Sequence, residues 1–307
     1  MASGIAVTGG FSNLISRDFT RIAYNTYATV PVLYETVAKM DTADGNYIKE
    51  GEVAGFGKFP SKGEGQAVDF QIPKQGNNKT QYFTEFELGF QITRVMWEDD
   101  LTGIMKQMPR ELSKAAAWTR EAEFWNLLNN GFVNTYDAAL DSYALFYDSH
   151  TNIDGADESY TTYDNNGTAG SLSLSTLQTG LDYFKKLKDN KGRPINAKAK
   201  WLIIPPDLEW KAQELLLSPY KPGTGDNDIN TVASSRTGLQ YLVVPYLTST
   251  TAWFLLAADH DLRFIWRRRY TFYSWDDNNS GNAIFKGSMR FATTFFDPRL
   301  AFGNAGA

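Results

Sequence analysis

The chain contains no cysteine, which removes disulfides, thiolate metal ligands and thiol nucleophiles together. It has only two histidines, His150 and His260. Neither belongs to a His-Glu-x-x-His pair, and without cysteine a zinc site would have to lean on carboxylates. No apolar run reaches the roughly 18 residues at which a membrane-crossing helix is expected. The stretch from Met1 to Phe11 lacks the basic-then-apolar order of a secretory signal. The expectation is a protein made, and working, in a cytoplasm or in something assembled there. The formal net charge of −5 argues against a polycation that coats nucleic acid.

Catalytic signatures are missing too. Gly55-Phe-Gly57-Lys58 has part of a phosphate-binding glycine loop but lacks its third glycine, its Gly-Lys-Ser/Thr ending and a following helix. There is no Gly-x-Ser-x-Gly elbow. Asp226 and Asp228 lie in a glycine-rich loop without the ordered acidic run of a calcium site, so turn and capping roles explain them better. No catalytic residue, metal or cofactor is expected.

What the sequence does hold is apolar bulk. A hydrophobic fraction of 42% supports a real core, and 14% aromatic residues is high. Large rings serve cores and interfaces alike, so composition leaves a β-rich core and extensive self-contact equally open. Residues 1–40 carry scattered apolar positions (Phe11, Leu14, Ile15, Phe19, Ile22, Tyr24) without a sustained period. They read as an extended or partly helical arm that needs a surface to lie on. Five glycines and a proline between Gly51 and Gly65 punctuate a bent hairpin. Then Tyr82, Thr84, Phe86, Leu88, Phe90 and Ile92 alternate with Glu85, Glu87 and Gln91, the pattern of a long strand with one buried face. A two-stranded hairpin of this length is marginal alone and wants a neighbour.

Asp99 and Asp100 precede apolar positions at helical spacing from Leu101 to Leu128. Pro109 imposes a kink or marks the start of the main helix, and Asn130-Gly131 stops it. A polar, turn-rich segment leads to an α/β pattern. Ser173 or Ser175 caps a helix, residues 201–204 form a short buried strand, and Asp207 caps a second helix. Later strands follow at 241–244, 252–257, 262–273 and 283–296. Trp266-Arg267-Arg268-Arg269-Tyr270 is the one dense basic run. It could touch nucleic acid or an acidic partner. In an acidic chain, a strand whose arginines pair with acids across a subunit contact is the better reading.

Eight segments then recur in a familiar order: Leu145-Phe-Tyr-Asp-Ser-His-Thr-Asn152, Leu174-Ser-Thr-Leu177, Lys191-Gly-Arg-Pro-Ile195, Trp201-Leu-Ile-Ile-Pro-Pro-Asp-Leu-Glu209, Ala212-x-x-Leu-Leu-x-Ser218, Leu242-Val-Val-Pro-Tyr-Leu-Thr248, Thr251-Ala-Trp-Phe-Leu255 and Phe296-Asp-Pro-Arg299. In order and spacing the chain resembles the major head subunits of Mu-like tailed phages over about residues 95–300. That family is similar to the Hong Kong 97 type of capsid fold. The resemblance implies an α+β chain with an N-terminal arm (1–40) and an extended hairpin loop (41–93). It further implies a peripheral domain with a long spine helix (94–171 and 283–307) and an axial domain (172–282).

It implies a non-enzymatic, self-assembling shell of pentamers and hexamers in the virion, enclosing double-stranded DNA without reading its sequence. Such a shell is assembled in the host cytoplasm without a membrane. Scaffolding, portal and decoration proteins would be separate chains, since no long scaffolding segment or protease domain accompanies this one. Lys58 and Lys62 lie on the hairpin, but no asparagine partner or catalytic acid stands out, so no crosslink is expected. The expected inter-subunit contacts are Phe56, Phe59, Tyr82, Phe86 and Phe90 on the hairpin, with Pro219 and Asp226 in the loop nearest the symmetry axis. Arg267, Arg268 and Arg269 are the candidates for a nucleic-acid or acidic partner. Two other classes compete: an encapsulin-like compartment of the same fold, which would need a cargo groove, and a nucleotide- or sugar-acting α/β enzyme, which would need a ligand pocket.

Overall fold

A computed structural model describes residues 9–93, 95, 96, 99, 103–153, 161–220, 228–277 and 282–307, without side chains for 9–16 and 234. In chain order the elements begin with helix α1 (Gly9–Thr29) and strands β1 (Lys39–Thr42), β2 (Tyr47–Ala54), β3 (Lys74–Tyr82) and β4 (Thr84–Ile92). Helix α2 (Met108–Asn129) and the short strands β5 (His150–Thr151), β6 (Thr162–Tyr163) and β7 (Asn166–Gly167) follow. Next are α3 (Leu174–Lys186), β8 (Ala199–Ile204), α4 (Glu209–Leu217), β9 (Gln240–Val243) and β10 (Trp253–Ala257). The chain closes with β11 (Arg263–Asp277), β12 (Asn282–Thr294) and β13 (Ala301–Asn304).

The arm is a 21-residue helix rather than an extended segment. Phe19, Ala23 and Tyr27 stand four residues apart and fall on one face. That face lies on β11 and β12, where Phe19 and Ala23 are buried with Tyr270, Phe272 and Phe285. Tyr27 stacks on Tyr270 with ring centroids 4.5 Å apart. From Phe19 to Tyr27 the stripe is one residue wide, which gives little apolar period in the sequence. The helix ends at Thr29, just before Val30-Pro31, because the residue ahead of a proline is pushed out of the helical region. The returning chain docks on α2: buried Glu121 accepts from the Leu33 and Tyr34 backbone N–H groups and from Trp125 Nε1 at 2.6 Å. Burial raises the Glu121 carboxyl above its ordinary range against these bonds.

Pro109 sits in the first turn of helix α2, where a missing N–H costs nothing. It ends at Asn130-Gly131, and Gly131 is required there because a Cβ would sit 2.7 Å from the Phe146 ring. Ser173 caps α3 in a reciprocal pair with Thr176. Asp207 does not cap α4; it lies in a 3-10 turn (Pro206–Leu208) ahead of that helix.

Two sheets organise the body. A four-stranded sheet runs β1-β11-β12-β4, and a five-stranded sheet runs β7-β13-β10-β8-β9. Strand alternation places Leu202, Ile204, Trp253 and Leu255 against α3 and α4. Ile203, Phe254 and Leu256 point the other way, into a core shared with Phe124, Leu128, Phe264 and Phe291. The expected boundary at 282/283 falls at the first residue of β12, which pairs antiparallel with β11 along its length. Strands β11 and β12 belong together in the four-stranded sheet, and β13 returns to the five-stranded one.

The long alternating strand is also two strands. β3 pairs with β2 and β4 with β12, and the buried parity changes between them. Phe83 is buried whereas Tyr82 is exposed, and on β4 the even positions Phe86, Phe90 and Ile92 face inward.

Candidate inter-subunit surfaces

The hairpin leaves the body at β2 and β3. Beyond Ala54 and Lys74 the ladder stops, and residues 55–73 cross solvent without regular pairing. A side-chain bond from Gly57 N to Gln71 Oε1 at 2.9 Å joins the two limbs. Phe59 is 90% exposed, Phe70 88% and Ile72 87%, with Phe56 and Val68 exposed beside them. Large apolar side chains exposed together on one loop make it a candidate interaction surface. Phe56 and Phe59 are two of the contact residues expected on the hairpin, and both are exposed. Val68, Phe70 and Ile72 were missed, although their i, i+2, i+4 spacing is the signal of one strand face.

The other expected hairpin contacts lie differently. Tyr82 is exposed at the base and 6.0 Å from Tyr47, ring centre to ring centre. Phe86 and Phe90 are not a free face. Phe86 stacks on Phe291 at 4.7 Å and Phe90 on Phe285 at 5.0 Å, both on β12 of the same chain. Both are half-buried, and Leu88 between them stays exposed.

The hairpin base sits on charged side chains of the body. On β2 the residues facing inward are Ile48, Glu50, Glu52 and Ala54. Glu50 accepts from Arg263 Nη2 at 3.0 Å. Glu52 accepts from Arg299 Nη2 at 2.9 Å and from Asn190 Nδ2 at 2.6 Å. Arg299 also donates to Asn152 Oδ1 at 3.0 Å and to Asn190, and lies 5.2 Å over the Tyr163 ring. Burial works against its charge, but Asp297, Tyr163 and Glu52 outweigh burial and hold the guanidinium above its ordinary value. On β3, Lys79 pairs with Asp137 at 2.7 Å, donates to the Phe295 carbonyl at 2.6 Å and lies 4.6 Å over the Phe295 ring. Burial lowers the Lys79 ammonium below its ordinary value, with Asp137 opposing the shift.

The basic run lies on β11. Arg268 pairs with Glu85 on β4 and bonds Ser288 on β12, so this pairing is inside the chain and not across a subunit contact. Arg269 is exposed and lies 5.8 Å over the Trp266 ring; Arg267 is half-buried. A second cross-strand pair, Lys286 with Glu87 at 2.8 Å, lies on the same sheet. Pro219 is exposed just past α4, and Asp226 lies outside the described residues.

The histidines are structural. His260 is buried, accepts from Leu262 N through Nδ1 at 3.2 Å, and is lowered to about 4 chiefly by burial. His150 meets Asp141 at 2.7 Å and stacks on Tyr163. Among the described residues, no three His, Asp or Glu side chains are grouped to hold a metal ion. No described helix is long and apolar enough to cross a membrane. An open cleft of about 680 Å³ beside α3 is lined by Asp182, Lys185 and Arg236 among others. Lys185 and Asp182 there simply pair with each other at 2.9 Å across an exposed helix turn.

Against known proteins, the family model described as phage capsid protein matches residues 80–303. No match was found among curated proteins. Solved structures share the fold. The capsid of bacteriophage JBD30 decorated with minor capsid protein trimers is 17% identical with a TM-score of 0.55, covering 72% of this chain and 92% of that one. The capsid of the native GTA particle is 10% identical at a TM-score of 0.58, covering 90% and 91%. A virus-like particle from Pyrococcus furiosus is 9% identical at 0.53, covering 94% and 98%. The α+β fold is thus the Hong Kong 97 type, with its long helix, hairpin and paired sheets in the order described.

Proposed function

This chain belongs to the phage capsid protein family, and from that premise we propose that it is the major head subunit of a tailed phage. Its copies close through pentamers and hexamers into an icosahedral shell around double-stranded DNA. It carries no catalytic role, and scaffolding, portal and decoration functions belong to other chains. In this reading the peripheral domain is α2 with the four-stranded sheet, and the axial domain is the five-stranded sheet with α3 and α4. Pro219, just past α4, lies near the symmetry axis in this reading. Arg267 and Arg269 are the remaining candidates for contact with the genome.

The observation that carries this reading is the hairpin tip, whose Phe59, Phe70 and Ile72 are almost fully exposed. Covering each side chain with a neighbour contributes about 1.5–3 kcal/mol. Three of them, about 4.5–9 kcal/mol, do no more than offset the roughly 4–15 kcal/mol that one association costs. Pairs of subunits are therefore weak, and only a closed arrangement in which every copy makes several contacts is stable. Negative-stain electron microscopy of the expressed protein, alone and with phage lysate, tests this. Shells, tubes or rings of uniform curvature are expected, and a Phe59→Asp, Phe70→Asp chain should stay unassembled with an unchanged unfolding temperature. A parent chain that remains a monomer would overturn the shell reading. The likeness to the Pyrococcus furiosus particle favours one second reading, a compartment that houses an enzyme. Purified shells holding a protein cargo and no DNA would establish it.

A further inference from the structure

Strands with one wet face seldom turn carboxylates inward, yet the inward set of β2 includes two, Glu50 and Glu52. Directly opposite Glu50 in the ladder is Lys79 on β3. The underside of the hairpin base thus carries two acids and one base. The body beneath it carries the complement: Arg263, Arg299 and Asp137. These partners come from separate parts of the chain, namely β11, the turn before β13 and the segment after α2.

Shape supports the same seat. Gly76 on β3 lies over buried Ile153, and a Cβ there would sit 2.8 Å from Ile153 Cγ1. A bulge between Gly51 and Val53 bends the hairpin at this point. Past Ala54 and Lys74, every residue of the loop from 55 to 73 except half-buried Gly57 is exposed. About ten residues of extended chain, at about 3.3 Å each, carry the tip on the order of 30 Å from the seat. A tilt of about 10° at the base then moves the tip by about 5 Å, one full strand spacing.

We propose that Glu50, Glu52 and Lys79 are positioning residues that fix the tilt of the hairpin on the body and thereby the curvature at which subunits join. The inference rests on the hairpin being the arm that reaches a neighbour. Because the chain has no cysteine, Glu64→Cys in the loop and Lys186→Cys on α3 accept two spin labels and no others. Labelled chain is mixed into an excess of unlabelled chain, so that pulsed electron resonance reads distances within one subunit, and the particles are sized by electron microscopy.

The parent should give one narrow distance distribution and shells of one diameter. Glu50→Gln with Glu52→Gln, and separately Lys79→Met, should widen the distribution at least twofold and yield shells of mixed diameter or tubes. Lys49→Gln, on the outward side of the same strand, should change neither. If the double variant does not fold, Glu50→Gln alone and Lys79→Met carry the measurement. A distribution as narrow as the parent's in a folded variant overturns the positioning role. A widened distribution with shells of unchanged diameter overturns the link to curvature. A parent that makes no particles refutes the shell reading instead, and the distance measurement then still decides whether the tilt is fixed.

Discussion

At the scale of single residues, the neutral imidazole of His260 is built into the fold. Nδ1 accepts the Leu262 N–H, and the buried ring makes a second backbone bond to Val37, so a proton on Nδ1 would break the first bond and place a charge in a desolvated site. The folded value near 4 lies below the ordinary 6.5. Between those values the unfolded chain binds more protons, so stability present above pH 6.5 is lost as pH falls toward 4. A shift of that size corresponds to up to about 3 kcal/mol. The subunit's unfolding temperature should therefore drop between pH 7 and 4.5, with His260→Gln flattening that part of the profile. A profile equally steep in the variant would assign the loss to carboxylates instead. Arg299 shows the limit of sequence reading at this scale. It closes the Phe296-Asp-Pro-Arg299 segment, but its role comes from Glu52, Asn152 and Asn190, which no local spacing connects to it.

At the scale of elements, what was legible depended on how wide the apolar signal is. Helix α2 buries several faces at once, including Leu112, Phe124, Trp125 and Leu128, and announces itself. Helix α1, over its described side chains, buries about one residue per turn and does not. The alternation through Tyr82–Ile92 is real, but a change of partner sheet at Phe83 keeps the chain extended while reversing which side is covered. Local pattern cannot show this, because it depends on where β12 lies. The consequence is a different outcome for substitutions along one apparent stripe. Phe86→Ala, which removes a ring stacked on Phe291, should lower subunit stability by about 1–3 kcal/mol, less than a fully buried phenylalanine. Phe70→Ala should leave it within about 0.5 kcal/mol and weaken only assembly. Denaturant unfolding of the two variants separates them; equal losses would mean that the tip packs on its own subunit.

At the scale of the whole molecule, the basic resemblance and the architecture were readable from the order of segments in the second half, because helices and buried strands there follow one another locally. The four-stranded sheet was not, since it joins the two ends of the chain. Lys39 pairs with Arg263, and Glu87 on β4 meets Lys286 on β12, 199 residues later. Contacts of such separation are formed slowly, because the loop entropy is lost before any of them contributes. At about 5–20 residues per second of synthesis, those roughly 200 residues take on the order of 10–40 s to emerge. Through that interval Phe86, Leu88 and Phe90 have no strand to pair with. Refolding followed by the fluorescence of Trp266, which lies among Phe264 and Phe291, should show a slow phase that Phe291→Ala slows further. A single fast phase would mean that the sheet is not the last part to form. The sheet that joins distant parts of the chain thus leaves a stripe of apolar side chains bare until its partner strand is translated, a surface that is prone to aggregate during synthesis.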